Sequence, residues 1–540
     1  MSNLIAPSKA LGYSSIFLDF LSGSGVAKDF YPATDPADVA RRLDAVAYRR
    51  DHIVAILEKQ NSLYGASDKT LANIEKLKDP LAVCLFAGQQ AILFGGPMLI
   101  MYKALSLVKA AHAYTEKLGR PVIPVFWIAA DDHDFEEVNH TYVLSRSSEL
   151  TKICYETPPT VELPISEVRL SDSTGLDKAR NTLQAALGQT DFTSDLYALI
   201  ERCYTPEDTF VTAFGKFMAA LTADLGLVFF SPGDPDAKRL AAPLFKDIVS
   251  RGHDLQQMLS ETNLKIRDSG YHIQVEKAED ATHLFYNLDG RSPVHRQGDG
   301  YVAGEARLSR DDLMARIDEH PERFSPDVMT RPVMQSYLFP VVSQKGGAAE
   351  IAYLAQVHRI FDLFGLVTPY YRSRPTMTVI EKRFERLMTE HAITFEQLTG
   401  DIEQVINRVL TESFPDDIED RFGEFRAELT DHFARLTTRA LEFDPSLSDL
   451  AEKTKGKIDF VVKALENKVF SSHKKKSSET RERIYRLHAA LYPNRNFQER
   501  SLNISYFLSK YGPGFIPYLF EAMDCREKAH QLIYLSEYEV

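Results

Sequence analysis

The stretch 81-LAVCLFAGQQAILFGGPMLIMYKALSLVKAAHAYTEKLGRPVIPVFWIAA-130 decides the fold. Its first eight residues form an apolar run of strand length. A glycine-containing loop follows, and then 97-PMLIMYKALSLVKAAHAYTEKLG-119 reads as a helix, with Pro97 suited to the first turn and Gly119 to the end. A second apolar run, 121–130, comes at once. Strand, loop, helix and strand within fifty residues predict a β–α–β unit and a parallel, Rossmann-like sheet.

Working outward, 225-LGLVFFSPGDP-235 and 366-LVTPYYRSR-374 read as further strands. The segments 236–252 and 349–365 read as their helices. Two stretches interrupt the rhythm, a polar one near 141–205 and one near 253–325 that alternates like hairpins over 270–304, and both are expected to be insertions into a core spanning 76–380. Residues 1–75 read as a helical segment, with one helix over 37–65. Beyond about 380 the pattern is helix only, so 381–540 is expected to be a helical coiled-coil domain. There Phe422, Phe425, Leu429, Phe433, Leu436, Ala440 and Phe443 make one apolar stripe. Ile458, Val461, Leu465 and Val469 make a second, and Ile484, Leu487 and Leu491 a third. Such stripes serve self-association or packing within a domain equally well. The run 471-SSHKKKSSETRER-483 reads as a solvated connection between helices.

At 540 residues the chain holds roughly three or four domain-sized units. A net charge of −13 argues against nucleic acid or an anionic membrane as a general partner, while leaving room for a small anion in a local basic pocket. No run reaches the length of a membrane span, the N-terminus lacks a signal-peptide pattern, and the four cysteines are scattered. A reduced, cytoplasmic protein is expected.

The chemistry concentrates after the second strand, in 131-DDHDFEEVNH-140. Ligands of open α/β sheets bind beyond the carboxyl ends of the strands. With a helix starting near Asp134, that residue is a cap and the following acids suit the helix dipole. The cap leaves His133 unexplained, so His133 is expected to act as general acid–base, oriented by Asp132 or Asp134. On the same helix Asn139 and His140 would lie about two turns on. A metal held by His133, Glu137 and His140 is conceivable, but the spacing of a zinc helix is absent and no metal is expected. The loop 86-FAGQQAILFGGP-97 offers backbone N–H groups to an anion, with Gln89 and Gln90 beside them. It is neither a dinucleotide fingerprint nor a P-loop. Lys345, Gly346 and Gly347 before the next helix, and Arg372 and Arg374 at a strand end, are candidate anion or nucleotide ligands.

Together these stretches resemble the bacillithiol biosynthesis cysteine-adding enzyme family. The matching elements are Gly88, Gln89, Gln90, Gly96 and Pro97 of the first loop, the FWIA..DHDF.E.NH segment, and RP..Q……GG..EIAY.AQ over 331–356. The stretches 270-GYHIQV-275 and 493-PNRNFQERSLNISYFLSKYGPGFI-516 agree as well. The resemblance implies a core similar to class I nucleotidyltransferases, connecting insertions, and a C-terminal coiled coil that forms a homodimer. It implies joining of the cysteine carboxylate to the amine of glucosaminyl-malate, the last step of bacillithiol synthesis. On the matching positions it implies substrate contacts from Gly88, Gln89, Gln90, Gly96, Asn139, His140, Gln335, Glu350 and Tyr353. Amide formation calls for an activated carboxylate, so ATP or another nucleotide with Mg is expected from the chemistry. No motif carries it: enzymes of the related fold have histidines where this chain reads 94-FGGP-97. Two other readings stay open. One is a nucleotidyltransferase of related fold acting on another small substrate, and the other is a scaffold that keeps the core for partner binding.

Overall fold

In the computed structural model, residues 4–288, 290–412 and 417–538 are described. The chain divides into two compact units, one of residues 1–380 with 496–540 and one of residues 381–495.

The first unit is built on five parallel strands: β1 (Val83–Gln90), β2 (Val122–Ala129), β3 (Val228–Phe230), β4 (Val341–Gly346) and β5 (Tyr370–Ser373). Their spatial order is β5-β4-β1-β2-β3. Chain order therefore reverses between β1 and β4, which makes the carboxyl ends of those strands the switch point where such sheets bind ligands. The expected β–α–β unit is present. Helix α1 (Leu99–Leu118) crosses from β1 to β2 and ends at Gly119, whose φ of 63° is the left-handed cap. Helix α2 (Pro235–Ser250) follows β3, and α3 (Ala348–Val357) follows β4. β1 and β2 are apolar on both faces because helices cover both sides of the sheet. Gly88 faces Trp127 across the ladder, and a Cβ there would stand 2.6 Å from the Trp127 carbonyl oxygen.

Both insertions are present. The first carries the antiparallel pair His140–Leu144 and Leu150–Cys154 and three helices between 173 and 221. The second carries an antiparallel five-stranded sheet that includes Ala281–Asn287, Arg291–Gln297 and Gly300–Ala303. The alternating stretch 271–275 forms no strand.

Several expectations are corrected. The helix over 37–65 is two, Pro36–Leu43 and Arg50–Leu63, because the chain turns through 44–49. The helix near Asp134 is a single turn, Phe135–Val138, and His140 opens a strand instead of lying two turns along a helix. The chain beyond 380 is not helix only. Strand His530–Tyr534 runs parallel to Thr376–Ile380 and antiparallel to Leu4–Ile5, which ties both ends of the chain into the first unit. Residues 496–540 thus belong with the core, and the helical unit ends at 495.

That second unit is dominated by the helices Ile418–Phe443 and Ser448–Leu491. The basic run 471–483 lies inside the longer helix and connects nothing. Ile484, Leu487 and Leu491 are buried, and Arg481 of the same helix pairs with Glu403 at 3.1 Å. The other two stripes differ. No residue of Ile418–Phe443 is buried, and Phe443 is 90% and Leu436 67% exposed.

Candidate active site

A cavity of about 510 Å³ opens beyond the carboxyl ends of the central strands, within the range of small-molecule sites. Gly88, Gln89 and Gln90 line it from the end of β1, Trp127 and Ala129–His133 from β2, and Glu350 from the first turn of α3. The second insertion adds Lys277, Phe285 and Arg291, and the segment after it adds Asp327 and Arg331. A second chamber of about 700 Å³ shares Asp132 and His133 with the first and is edged by Asp134, Glu136, Glu137, Asn139, Glu156 and Glu162. His133 stands where the two meet.

Two buried ion pairs hold the floor. Lys103, on α1, donates to Glu350 Oε2 at 2.7 Å, to the Gly88 carbonyl at 2.7 Å and to Gln89 Oε1 at 2.8 Å. Three acceptors match the three protons of an ammonium, so burial pushes the Lys103 pKa down without leaving a donor idle. Glu350 is held below its ordinary value despite burial, because Lys103 and the Gly347 N–H at 2.8 Å both favour the carboxylate. The pair fastens β1 to α3 across the switch point. Lys238, on α2, meets Asp131 at 2.6 Å and fastens β2 in the same way.

The wall facing these pairs is cationic. The Arg291 guanidinium lies 3.5 Å over the Phe285 ring, and its Nη1 donates to His133 Nδ1 at 3.1 Å. A guanidinium only donates, so that ring nitrogen accepts and the proton of the neutral imidazole sits on Nε2. Asp132 accepts from the His133 backbone N–H at 2.8 Å, whereas its oxygen stands 3.6 Å from the ring. Asp132 therefore fixes the His133 backbone, and Arg291 orients the ring. Asp134 is the cap of the one-turn helix, accepting from the Glu137 N–H at 3.1 Å. Arg331 is held by the Tyr353 hydroxyl and pairs with no carboxylate among the described residues. Asp327 accepts from Lys277 at 3.0 Å, from His283 Nδ1 at 3.0 Å and from the Met329 N–H at 2.9 Å. Burial alone would raise its pKa, but these partners bring it down to about 2.

The structure thus brings together Gly88, Gln89, Gln90, Asp132, His133 and Glu350 in one chamber, with Asp134 and Asn139 in the next. Other expected residues lie outside both. Gly96 is a turn glycine (φ 64°) whose carbonyl accepts from Asn503 Nδ2 at 2.7 Å. The loop around it offers no anion cradle: the Gly95 N–H goes to the Tyr204 hydroxyl, the Gly96 N–H to the Leu93 carbonyl, and the Met98 N–H to the Leu502 carbonyl. The N–H of Gly347 is likewise taken, by Glu350. Arg374 is buried in a 2.6 Å ion pair with Glu499, so its charge is not available to an anion. Lys345 is buried on β4, and Gly346 gives its carbonyl to the Arg374 N–H. Arg372 lines a separate cleft with Lys28 and Lys528. His140 bonds Asn139, Gln335 is buried on its helix away from the cavity, and Tyr353 reaches the site only through Arg331. Lys103, Lys238, Lys277, Arg291 and Asp327 escaped the sequence reading. Arg331 stood within a matched motif without a role.

Two family descriptions cover this chain almost end to end: "Bacillithiol biosynthesis BshC, N-terminal Rossmann-like domain" over residues 2–375, and "Bacillithiol biosynthesis BshC, C-terminal coiled-coil domain" over 377–535. The chain belongs to the BshC family. Among curated BshC relatives, one from Salinibacter ruber is 31% identical over 98% of this chain and 97% of its own length. One from Koribacter versatilis is 32% identical over 94% and 95%, and one from Bacillus thuringiensis strain Al Hakam 29% over 90% and 91%. Each carries the name "Putative cysteine ligase BshC". Both BshC domains are thus present in one chain, and the two-chambered site lies wholly within the Rossmann-like one.

Proposed function

We propose that this chain is a cysteine ligase that joins the carboxyl group of L-cysteine to the amine of glucosaminyl-malate, the last step of bacillithiol biosynthesis. Membership of the BshC family over both domains carries the reading. The site supports it through a charged wall suited to anions beside an imidazole suited to an amine.

Amide formation requires a nucleophilic amine stripped of a proton and a carboxylate made electrophilic. His133 is the group to take the proton. Its Nδ1 lone pair is covered by Arg291 at 3.1 Å, so the base is masked until that arginine turns away. An arriving phosphate or carboxylate is a stronger partner for a guanidinium than a neutral imidazole is. Anion binding would therefore uncover the base at the moment a substrate is present. Arg331 and Lys277 complete the set that would hold the malate carboxylates or nucleotide phosphates.

Activation is assigned to ATP or another nucleotide with magnesium. The N–H groups of Gly95, Gly96, Met98 and Gly347 are taken, but Arg291, Arg331 and Lys277 fit a phosphate from the opposite wall. When bound, the nucleotide supplies the driving force for making the carboxylate electrophilic. The test is a reaction of purified protein with cysteine, glucosaminyl-malate, nucleotide and magnesium, read by mass spectrometry. The amide product with AMP or with ADP as co-product is the expected result. Absence of amide with every nucleotide would overturn the reading of a self-sufficient ligase.

We also assign a homodimer formed through the helical unit, supported by the exposed stripe of Ile418–Phe443, and a cytoplasmic setting, in keeping with four free thiols. No helix among the described residues is long and apolar enough to cross a membrane.

A further inference from the structure

The side-chain amides of Gln89 and Gln90 sit next to each other in sequence, both line the cavity, and both are fixed in sense by partners that leave no choice. Amide nitrogen and oxygen are ordinarily interchangeable in a structure. Here they are not. Gln89 meets Lys103 at 2.8 Å, and an ammonium can only donate, so the atom facing it is Oε1. Gln90 meets Glu137 at 2.6 Å and Asp132 at 3.2 Å, and carboxylates only accept, so the atom facing them is Nε2. What remains is a donor on one glutamine and an acceptor on its neighbour. Among the described residues the Gln89 Nε2 makes no hydrogen bond, and neither does the Gln90 Oε1.

We infer that Gln89 and Gln90 form the subsite for an α-amino acid, Gln89 donating to its carboxylate and Gln90 accepting from its ammonium. A zwitterion carries an anionic acceptor and a cationic donor on one carbon, which answers the two free amide ends. A plain anion would use only Gln89, and a plain amine only Gln90. Both new bonds would involve a charged ligand group, the stronger class of hydrogen bond. Lys103 sets the sense of Gln89 from the buried side, and the Asp132–Glu137 pair sets that of Gln90. The subsite lies at the end of β1, at the switch point. The inference rests on the cysteine-ligase reading for the identity of the amino acid.

The test is calorimetric binding, with and without ATP and magnesium, of three probes to the full chain. They are cysteine, cysteamine (no carboxylate) and 3-mercaptopropionate (no amine). Two variants are compared with wild type. Gln89→Glu keeps an acceptor for Lys103 but turns the free donor into a carboxylate. Gln90→Met keeps length and removes the acceptor. The expected result is that Gln89→Glu weakens cysteine about tenfold to a hundredfold, the span of one hydrogen bond to a charged group, and does not weaken cysteamine, whose ammonium the new carboxylate attracts. Gln90→Met weakens cysteine by a similar factor and leaves 3-mercaptopropionate unchanged. If either variant binds cysteine as wild type does, or loses all three probes alike, the subsite is overturned while the ligase reading stands. If wild type binds no cysteine in either condition, the ligase reading itself falls and the subsite with it.

Discussion

Lys103 shows what a single side chain can decide and how little of it is visible in a sequence. Within its helix it is one polar position among apolar ones, and its partner Glu350 lies 247 residues away. Lys238 and Asp131, 107 apart, are hidden in the same way. His133 and the glutamines were legible because they cluster at the end of an apolar run, where location alone announces a site. Arg374 was misread for the same reason as Lys103: its partner Glu499 lies 125 positions on, in a segment expected to belong to the helical domain. Breaking that buried pair should be costly. Arg374→Met is expected to lower stability by about 3–5 kcal/mol, and Arg374→Met with Glu499→Leu to recover most of it, as read by urea denaturation. Asp327 gives a pH signature. Its folded pKa of about 2 lies below the ordinary 3.8, so its stabilising effect is complete above about pH 4 and lost as pH falls through 2. Wild type should lose about 2 kcal/mol more than Asp327→Asn between pH 5 and pH 2, measured by denaturation at each pH.

At the scale of elements, the β–α–β unit was legible because apolar runs, a proline start and a glycine stop all agreed. The segment 496–503 was not, since it forms only one helical turn, Gln498–Ser501, and its side chains serve to bond other elements. Asn503 donates to the carbonyls of Phe94 and Gly96 at 2.9 and 2.7 Å, Gln498 brackets Val379, and Glu499 receives Arg374 and the Met377 N–H. It acts as a strap that closes the glycine loop. The loop looked like a phosphate cradle because composition reports which backbone shapes are allowed, and the strap decides which N–H groups remain free. Asn503→Ala is expected to cost about 1–3 kcal/mol by leaving buried carbonyls unpaired, and hydrogen exchange at 94–98 should rise with it. Unchanged exchange there would refute the strap.

For the whole molecule, the coiled-coil expectation survives in the helical unit, while the end of the chain returns to the core through the strand His530–Tyr534. A short strand with histidine and glutamine among its five residues gives little alternation to read. The exposed stripe has a consequence for assembly. Leu436 and Phe443 are 67% and 90% exposed, too apolar a pair to leave in water along one helix. If the proposed dimer forms through this stripe, wild type should run as a dimer in light scattering and Leu436→Lys with Phe443→Asp as a monomer, with the melting of the Rossmann-like unit unchanged. The central claim is that amide formation occurs at the carboxyl ends of the parallel sheet, with His133 as the base. The measurement that tests it most directly is the rate of amide appearance by mass spectrometry for wild type and His133→Ala side by side, with melting temperatures taken on the same samples. His133 is partly exposed, and its ring neighbours Arg291 at 3.1 Å, Asp132 at 3.6 Å and Glu162 at 3.8 Å are all at the site itself, so the variant should melt as wild type does while its rate falls about 10²–10⁴-fold. A folded His133→Ala protein that forms the amide at the wild-type rate would contradict the account.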